Sequence, residues 1–498
     1  MKRTTELVVQ TRQGAVRGAT SGGGAAFKGI PYAAPPVGAH RFQAPRAPEP
    51  WDGVRDATGY GPTAPQNQYP APFDALLANP IIPGDDYLNL NVWTPEPGGA
   101  RLPVMVWIHG GAFVAGSGAV PWYDGSAFAR DGIVCVTINY RLGVEGFASI
   151  EGAPPNRGLL DQVAALEWVR DNIAGFGGDP DNVTIFGESA GAMSVGTLLS
   201  LPRTRGLFRR AIAQSGAGHH VISTGAADRV AAMLGARLGV PPTREGLTTV
   251  GVRDLLDAQA QLSQDALLNR DAERWGEVAQ TGYPWQVVVD GDVLPARPID
   301  AVAGGAGPAV DLLVGTNRDE WNFWYVPTGA VDAIDDRLAG AMAAGYGLPP
   351  RGLDVYRAAR PGAVPGAVLA AVITDWFFRI PALRLAEANV GRGQRSHVYE
   401  LTWPSPAFGG RLGACHALDL PFVFDTLGSE KTDALTGPEP PRALATAMHG
   451  AWTMFARTGD PGWPSYEPGR RLTMRFGETS EVVDDPSGAE RELWEGIR

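Results

Sequence analysis

The chain has 498 residues, 44% of them hydrophobic and 19% charged, a balance that supplies a large core and argues against disorder. Its 42 Lys and Arg against 53 Asp and Glu leave a formal net charge of -11, and no basic cluster stands out, which argues against nucleic acid and against anionic membrane surfaces as partners. Two cysteines, Cys135 and Cys415, cannot form a disulfide framework and point to a reducing, cytoplasmic setting.

In chain order, Met1-Lys2-Arg3-Thr4-Thr5-Glu6 is not followed by an apolar core, so no signal peptide is expected. Residues 102–120 are nearly free of charge and just long enough to span a bilayer. Pro103 opens that stretch, and Gly110, Gly111, Gly116 and Gly118 fill its second half, so a strand followed by a glycine loop explains it better. The apolar runs 104–108, 133–138, 183–186 and 312–314 suit buried strands. Between the second and third, Leu159, Val163, Leu166, Val169 and Ile173 step by three or four, predicting a helix with Gly175 as its C-cap. Asn182-Val183-Thr184 matches a glycosylation sequon but carries little weight without a secretion signal. Residues 222–282 and 329–390 read as helical insertions. The strand–helix–strand order implies an α/β architecture, a mostly parallel sheet covered by helices. No repeat or linker divides the chain, so one domain is expected over 1–498.

Gly187-Glu188-Ser189-Ala190-Gly191 fits a G-x-S-x-G nucleophile elbow, and its context gives the pattern meaning. It follows the strand at 183–186 and precedes a plausible helix at 190–199. The tight turn strains the serine, and flanking glycines avoid a clash. The helix start offers N–H groups and a positive dipole end to a developing oxyanion. His109-Gly110-Gly111-Ala112-Phe113 follows the strand at 104–108 and resembles an oxyanion loop. The N–H groups of Gly111, Ala112 and Ala190 are the expected oxyanion donors, each worth roughly 3 kcal/mol in the transition state. Gly110 shapes the turn. His109, before the loop and before the serine, is read as structural.

A serine of this kind needs a histidine base and a carboxylate, in the chain order serine, acid, histidine. After residue 320 the histidines are His397, His416 and His449. His397 lies in a strand pattern with 398–401 and His449 in a helical run at 443–455. His416 closes Gly413-Ala414-Cys415-His416, a short loop before 420–424, and a loop at a strand end is where catalytic groups project. The acid should follow another strand, and 312–314 leads to Asp319 and Glu320. The residues alone do not choose between those two.

Over nearly its whole length the chain resembles the type B carboxylesterases, which include cholinesterases and bacterial para-nitrobenzyl esterases. The resemblance runs through Phe27-Lys28-Gly29-Ile30-Pro31-Tyr32-Ala33, Pro35-Pro36-Val37-Gly38, Leu88-Asn89-Leu90-Asn91-Val92, Asn139-Tyr140-Arg141 and Phe176-Gly177-Gly178-Asp179-Pro180 into the elbow. It implies an α/β-hydrolase fold with helical insertions around an active-site gorge, and ester hydrolysis through an acyl-enzyme on small to medium neutral esters. It implies Glu320 as the acid and His416 as the base for Ser189. In relatives, a small-residue loop like Gly110-Gly111-Ala112-Phe113 goes with hydrolysis of tertiary-alcohol esters. Three departures stand out: Trp321 where the family has glycine, Tyr87 where secreted members have cysteine, and Asp419 where many carry glutamate.

The alternatives are an adhesion-type binding module, which would lack the triad, and a lipase, for which no amphipathic lid is evident. With no HExxH, metal-spaced cluster or P-loop, no cofactor or metal is expected, and the partner is a small-molecule ester. Oligomeric state is left open. Of the aromatics Phe113, Trp321, Trp324, Trp376, Phe377 and Phe378, Phe113 and Trp321 are expected to bind substrate because each adjoins a catalytic element.

Overall fold

A computed structural model describes residues 7–498. The N-terminal hexapeptide, on which the reading of no signal peptide rests, lies outside them.

Eleven strands form one sheet. In chain order they are β1 (Ala19–Ser21), β2 (Gly24–Pro31), β3 (Asn89–Thr94), β4 (Leu102–Ile108), β5 (Val134–Ile138), β6 (Gly178–Glu188), β7 (Arg210–Gln214), β8 (Asp311–Asn317), β9 (Ser396–Leu401), β10 (Thr473–Phe476) and β11 (Glu481–Val483). Across the sheet the order is 11-10-9-8-7-6-4-5-3-2-1. Strands 5, 4, 6, 7, 8, 9 and 10 pair in parallel, while both margins are antiparallel. The central strands are buried on both faces and accordingly read as continuous apolar runs, as in β4 and β5. Chemistry-bearing turns therefore gather at the carboxyl ends of β4, β6 and β8, where open parallel sheets bind ligands.

All four expected strands are present. Residues 102–120 are β4 and a glycine-rich turn rather than a membrane helix. The helix predicted after β5 spans Arg157–Asn172, but Gly175 is not its cap. The chain tightens into a 3-10 turn over Ile173–Phe176, and Gly177 closes it at φ +84°. After the loop that holds His416, Leu420–Val423 is a single buried helical turn. Residues 224–281 form the helices Thr224–Leu238, Arg244–Thr248, Val252–Leu268, Ala272–Trp275 and Val278–Thr281.

The helical run Pro365–Gly391 is the one described helix long and apolar enough to cross a membrane, and 89% of its most apolar window is buried inside the protein. Mid-way it widens into a π-turn over Asp375–Arg379. The cause is local. Ile380 N–H reaches back five residues to Asp375, which frees the Trp376 carbonyl for Arg498 Nε at 3.0 Å. Pro381 has no N–H, which frees the Phe377 carbonyl for His220 Nε2 at 2.7 Å. The widened turn carries Phe377 and Phe378 toward the end of β6.

Candidate active site

Ser189 stands between β6 and the helix Ala190–Leu198 with φ +55° and ψ -124°, a conformation non-glycine residues rarely hold. Its N–H donates to the Gln214 carbonyl at the end of β7 (2.9 Å), which fixes the turn to the sheet. Gly191 is required here: a Cβ on it would fall 2.0 Å from the Ile108 carbonyl oxygen.

The loop after β4 lies beside the elbow. Gly111, Ala112 and Phe113 follow one another at φ +108°, +53° and +61°. The Gly111 carbonyl accepts the Val114 and Ala115 N–H groups, each at 3.0 Å, while the N–H groups of Gly111 and Ala112 donate to nothing among the described residues. With the Ala190 N–H at the helix start, these are free donors of the type an oxyanion needs. His109 is buried, its Nδ1 is 2.8 Å from the Gly110 carbonyl, and its ring stacks on Tyr140 at 4.4 Å. Burial lowers its pKa to about 4, in keeping with a neutral structural group.

His416 Nδ1 lies 2.6 Å from Glu320 Oε2, and Glu320 is fully buried. Glu320 Oε1 accepts the Asn317 N–H at 2.8 Å. The structure thus separates the two carboxylates that the residues alone could not. Asp319 points the other way, where its Oδ2 accepts the Ala414 N–H at 2.9 Å and pairs with Arg318. It clamps the histidine loop from outside. His397 and His449 line neither cavity next to Ser189, and His449 is held between the Val423 carbonyl and Asp131.

Sequence reasoning missed the supporting roles of Glu188, Gln214, Tyr399 and Asn317, and had noted Asp419 only as a departure from the family. Glu188 Oε1 sits 3.0 Å from His416 Nε2 without a hydrogen bond between them, and no hydrogen bond from His416 to Ser189 Oγ forms among the described residues. Asp419 accepts from Gln214 Nε2 (2.8 Å) and Tyr399 OH (3.2 Å), and Asn317 Nδ2 donates to the Cys415 carbonyl (2.8 Å). Glu188 was visible as the variable position of the elbow. Gln214 and Asn317 end adjacent strands, and that place was the only signal they gave. Burial, with the Asp419 and Glu320 charges, raises Glu188 to about 8 despite the nearby His416. Burial works against the His416 cation, but Glu188 and Glu320 outweigh it and raise the group to about 9.

Two cavities meet at Ser189. One, of about 660 Å³, is lined by Ser189, His416, Glu188, Gly111 and Ala112, and extends between the helix Val252–Leu268 and residues 67–77. The other, of about 40 Å³, is lined by Ser189, Ala190, Phe113, Phe377 and Phe378. Trp324 borders both. Phe113 is therefore at the site as expected. Trp321 is not: it is buried behind Trp324 and Phe377, at ring distances of 4.6 and 5.5 Å, and lines neither cavity. Its neighbourhood to Glu320 in sequence misled, because the chain turns helical there and sends the ring into the core.

The fold is that of the α/β-hydrolase class. The chain belongs to the carboxylesterase family, whose profile matches residues 5–339 and 359–494. It is 39% identical to the para-nitrobenzyl esterase of Bacillus subtilis (strain 168), over 98% of each chain. It is 35% identical to the phenmedipham hydrolase of Pseudarthrobacter oxydans, over 97% of each. Among solved structures it is similar to a Geobacillus stearothermophilus carboxylesterase, with a TM-score of 0.86 and 40% identity over 98% of this chain and 100% of the other. The protein is a carboxylic ester hydrolase.

Proposed function

We propose that this carboxylesterase cleaves small to medium neutral esters through an acyl-enzyme on Ser189. Ser189 Oγ attacks the carbonyl carbon while His416 Nε2 takes its proton, and Glu320 stabilises the imidazolium through Nδ1. The N–H groups of Gly111, Ala112 and Ala190 hold the oxyanion. The imidazolium then protonates the leaving alcohol, and water repeats the sequence in reverse to release the acid and restore Ser189. The observation that carries this reading is the buried 2.6 Å contact between Glu320 and His416, a histidine that lines the same cavity as the strained Ser189. The Ser189–His416 hydrogen bond forms on attack, since catalytic contacts of this kind tighten when substrate arrives.

The same geometry orients the substrate. The leaving oxygen must face His416, which lines the large cavity and not the small one. The alcohol therefore occupies the large cavity and the acyl group the small aromatic one. Short acyl chains on larger, neutral alcohols are the favoured esters. A cytoplasmic setting belongs to the same proposal, supported by two unpaired, buried cysteines. The test is Ser189→Ala assayed on para-nitrophenyl esters of rising acyl length. Turnover should drop on the order of 10⁶-fold with the fold intact, and the wild type should favour acetate and propionate over octanoate. Retained activity in the variant would overturn the assignment.

A further inference from the structure

Gln259 projects from the helix Val252–Leu268 into the wall of the large cavity and is only 6% exposed. One end of its amide is pinned, for Oε1 accepts the Val144 N–H at 2.8 Å. The amide lies against Gly143, where φ is +50° and an added Cβ would fall 1.7 Å from Oε1, so only glycine permits the contact. The Gly143 N–H in turn donates to the Phe113 carbonyl at 2.6 Å. The amide is thereby tied to the oxyanion loop and held in one orientation.

With Oε1 committed, Nε2 is the free end. Among the described residues it donates to nothing, and Gln259 lines the cavity. Two of its neighbours along the wall are already engaged. Ser263 Oγ accepts from Trp285 Nε1 and donates to the Gln259 carbonyl, both at 2.9 Å, and Asn67 Nδ2 donates to the Leu256 carbonyl at 3.3 Å. A fixed donor in a desolvated wall discriminates between ligands, because an apolar group leaves it unpaired and an acceptor does not.

We propose that Gln259 sets specificity on the alcohol side, its Nε2 donating to an acceptor oxygen, such as a ketone or carbamate carbonyl, carried by the leaving alcohol. This rests on the reading above that places the alcohol in the large cavity. Substrates of this class are esters whose alcohol carries a neutral carbonyl beyond the scissile bond.

The experiment compares kcat/KM for 3- and 4-acetylbenzyl acetates with the matching isopropylbenzyl acetates, which have nearly the same shape without the acceptor. Two variants are used. Gln259→Glu, assayed at pH 9, keeps the acceptor for Val144 and exchanges the donor for a charge; Gln259→Met removes the donor. The acetyl-to-isopropyl ratio should fall roughly tenfold in both variants, in at least one of the two positional pairs. Equal losses on both esters, or an unchanged ratio, would make Gln259 a wall support and overturn the proposal. Hydrolysis surviving Ser189→Ala would instead overturn the nucleophile assignment. Ser189-dependent hydrolysis with an unchanged ratio, in an enzyme that prefers acetate to octanoate, overturns the Gln259 role alone, whereas an enzyme that prefers octanoate overturns the placement of the alcohol.

Discussion

The imidazole of His416 is bracketed by two carboxyls, Glu320 at Nδ1 (2.6 Å) and Glu188 at Nε2 (3.0 Å). Asp419 adds a third buried carboxyl behind them. The base form of the histidine is therefore harder to reach than in an isolated imidazole. His416 must be neutral to accept the Ser189 proton, so activity is lost as pH falls through its raised value of about 9. The acid limb of kcat/KM should lie well above 7, not at the ordinary histidine value of about 6.5. Glu188→Gln removes the strongest stabiliser of the cation and should move the limb down by roughly one unit or more. A limb that stays in place in that variant would show that Glu188 does not share the site's proton.

Glu320→Gln should cost on the order of 10³- to 10⁴-fold in kcat, because the amide cannot stabilise the imidazolium or hold its tautomer. Asp319→Asn should stay within about tenfold, since Asp319 is partly exposed and holds only the Ala414 N–H and Arg318. Steady-state kinetics of the two variants decide the matter, and the reverse ranking would move the acid to Asp319.

At Gly111 a Cβ would fall 2.1 Å from the Ala115 carbonyl oxygen, and φ is +108°. Gly111→Ala must therefore displace the loop, with kcat falling roughly 10²- to 10³-fold on every ester. A larger residue at 111 cannot serve as a selective steric probe for the same reason. The tertiary-alcohol reading of this loop is better tested directly: the wild type should cleave tert-butyl acetate slowly, and the Ser189→Ala variant not at all. No turnover above that background would contradict it.

Cys415 adjoins the base in sequence, but its side chain is fully buried, and burial followed by the Glu320 and Asp319 charges raises its thiol well above the usual range. Such a thiol is unreactive. Iodoacetamide at neutral pH should leave activity unchanged in wild type and Cys415→Ser alike. Inactivation of the wild type alone would place the thiol within reach of the cavity.

Much of this was legible in the sequence. The parallel strands announced themselves as apolar runs because both sheet faces are covered, and the elbow and the glycine loop after β4 were readable because their glycines answer to backbone geometry. Glu320 was singled out by resemblance, and the fold supplies the physical reason: Asp319 and Glu320 leave the chain in opposite directions, one toward the Ala414 N–H and one toward the imidazole. Less accessible were contacts between distant segments. Nothing local marks Gln259 as reaching Val144, or Gln214 as reaching Asp419, since each depends on how the helices settle on the sheet. Trp321 shows the converse error, adjacency in sequence taken for adjacency in the cavity. The Gly175 cap failed for a smaller reason, one extra 3-10 turn before Gly177.

The most direct measurement of the central claim is covalent trapping. A dialkyl para-nitrophenyl phosphate should acylate-mimic the enzyme by phosphorylating Ser189 Oγ with release of para-nitrophenol. Peptide mapping by mass spectrometry is predicted to find one equivalent of phosphoryl group, on Ser189, with esterase activity lost in proportion to its incorporation. A label on another residue, or full activity in protein stoichiometrically labelled at Ser189, would contradict the account.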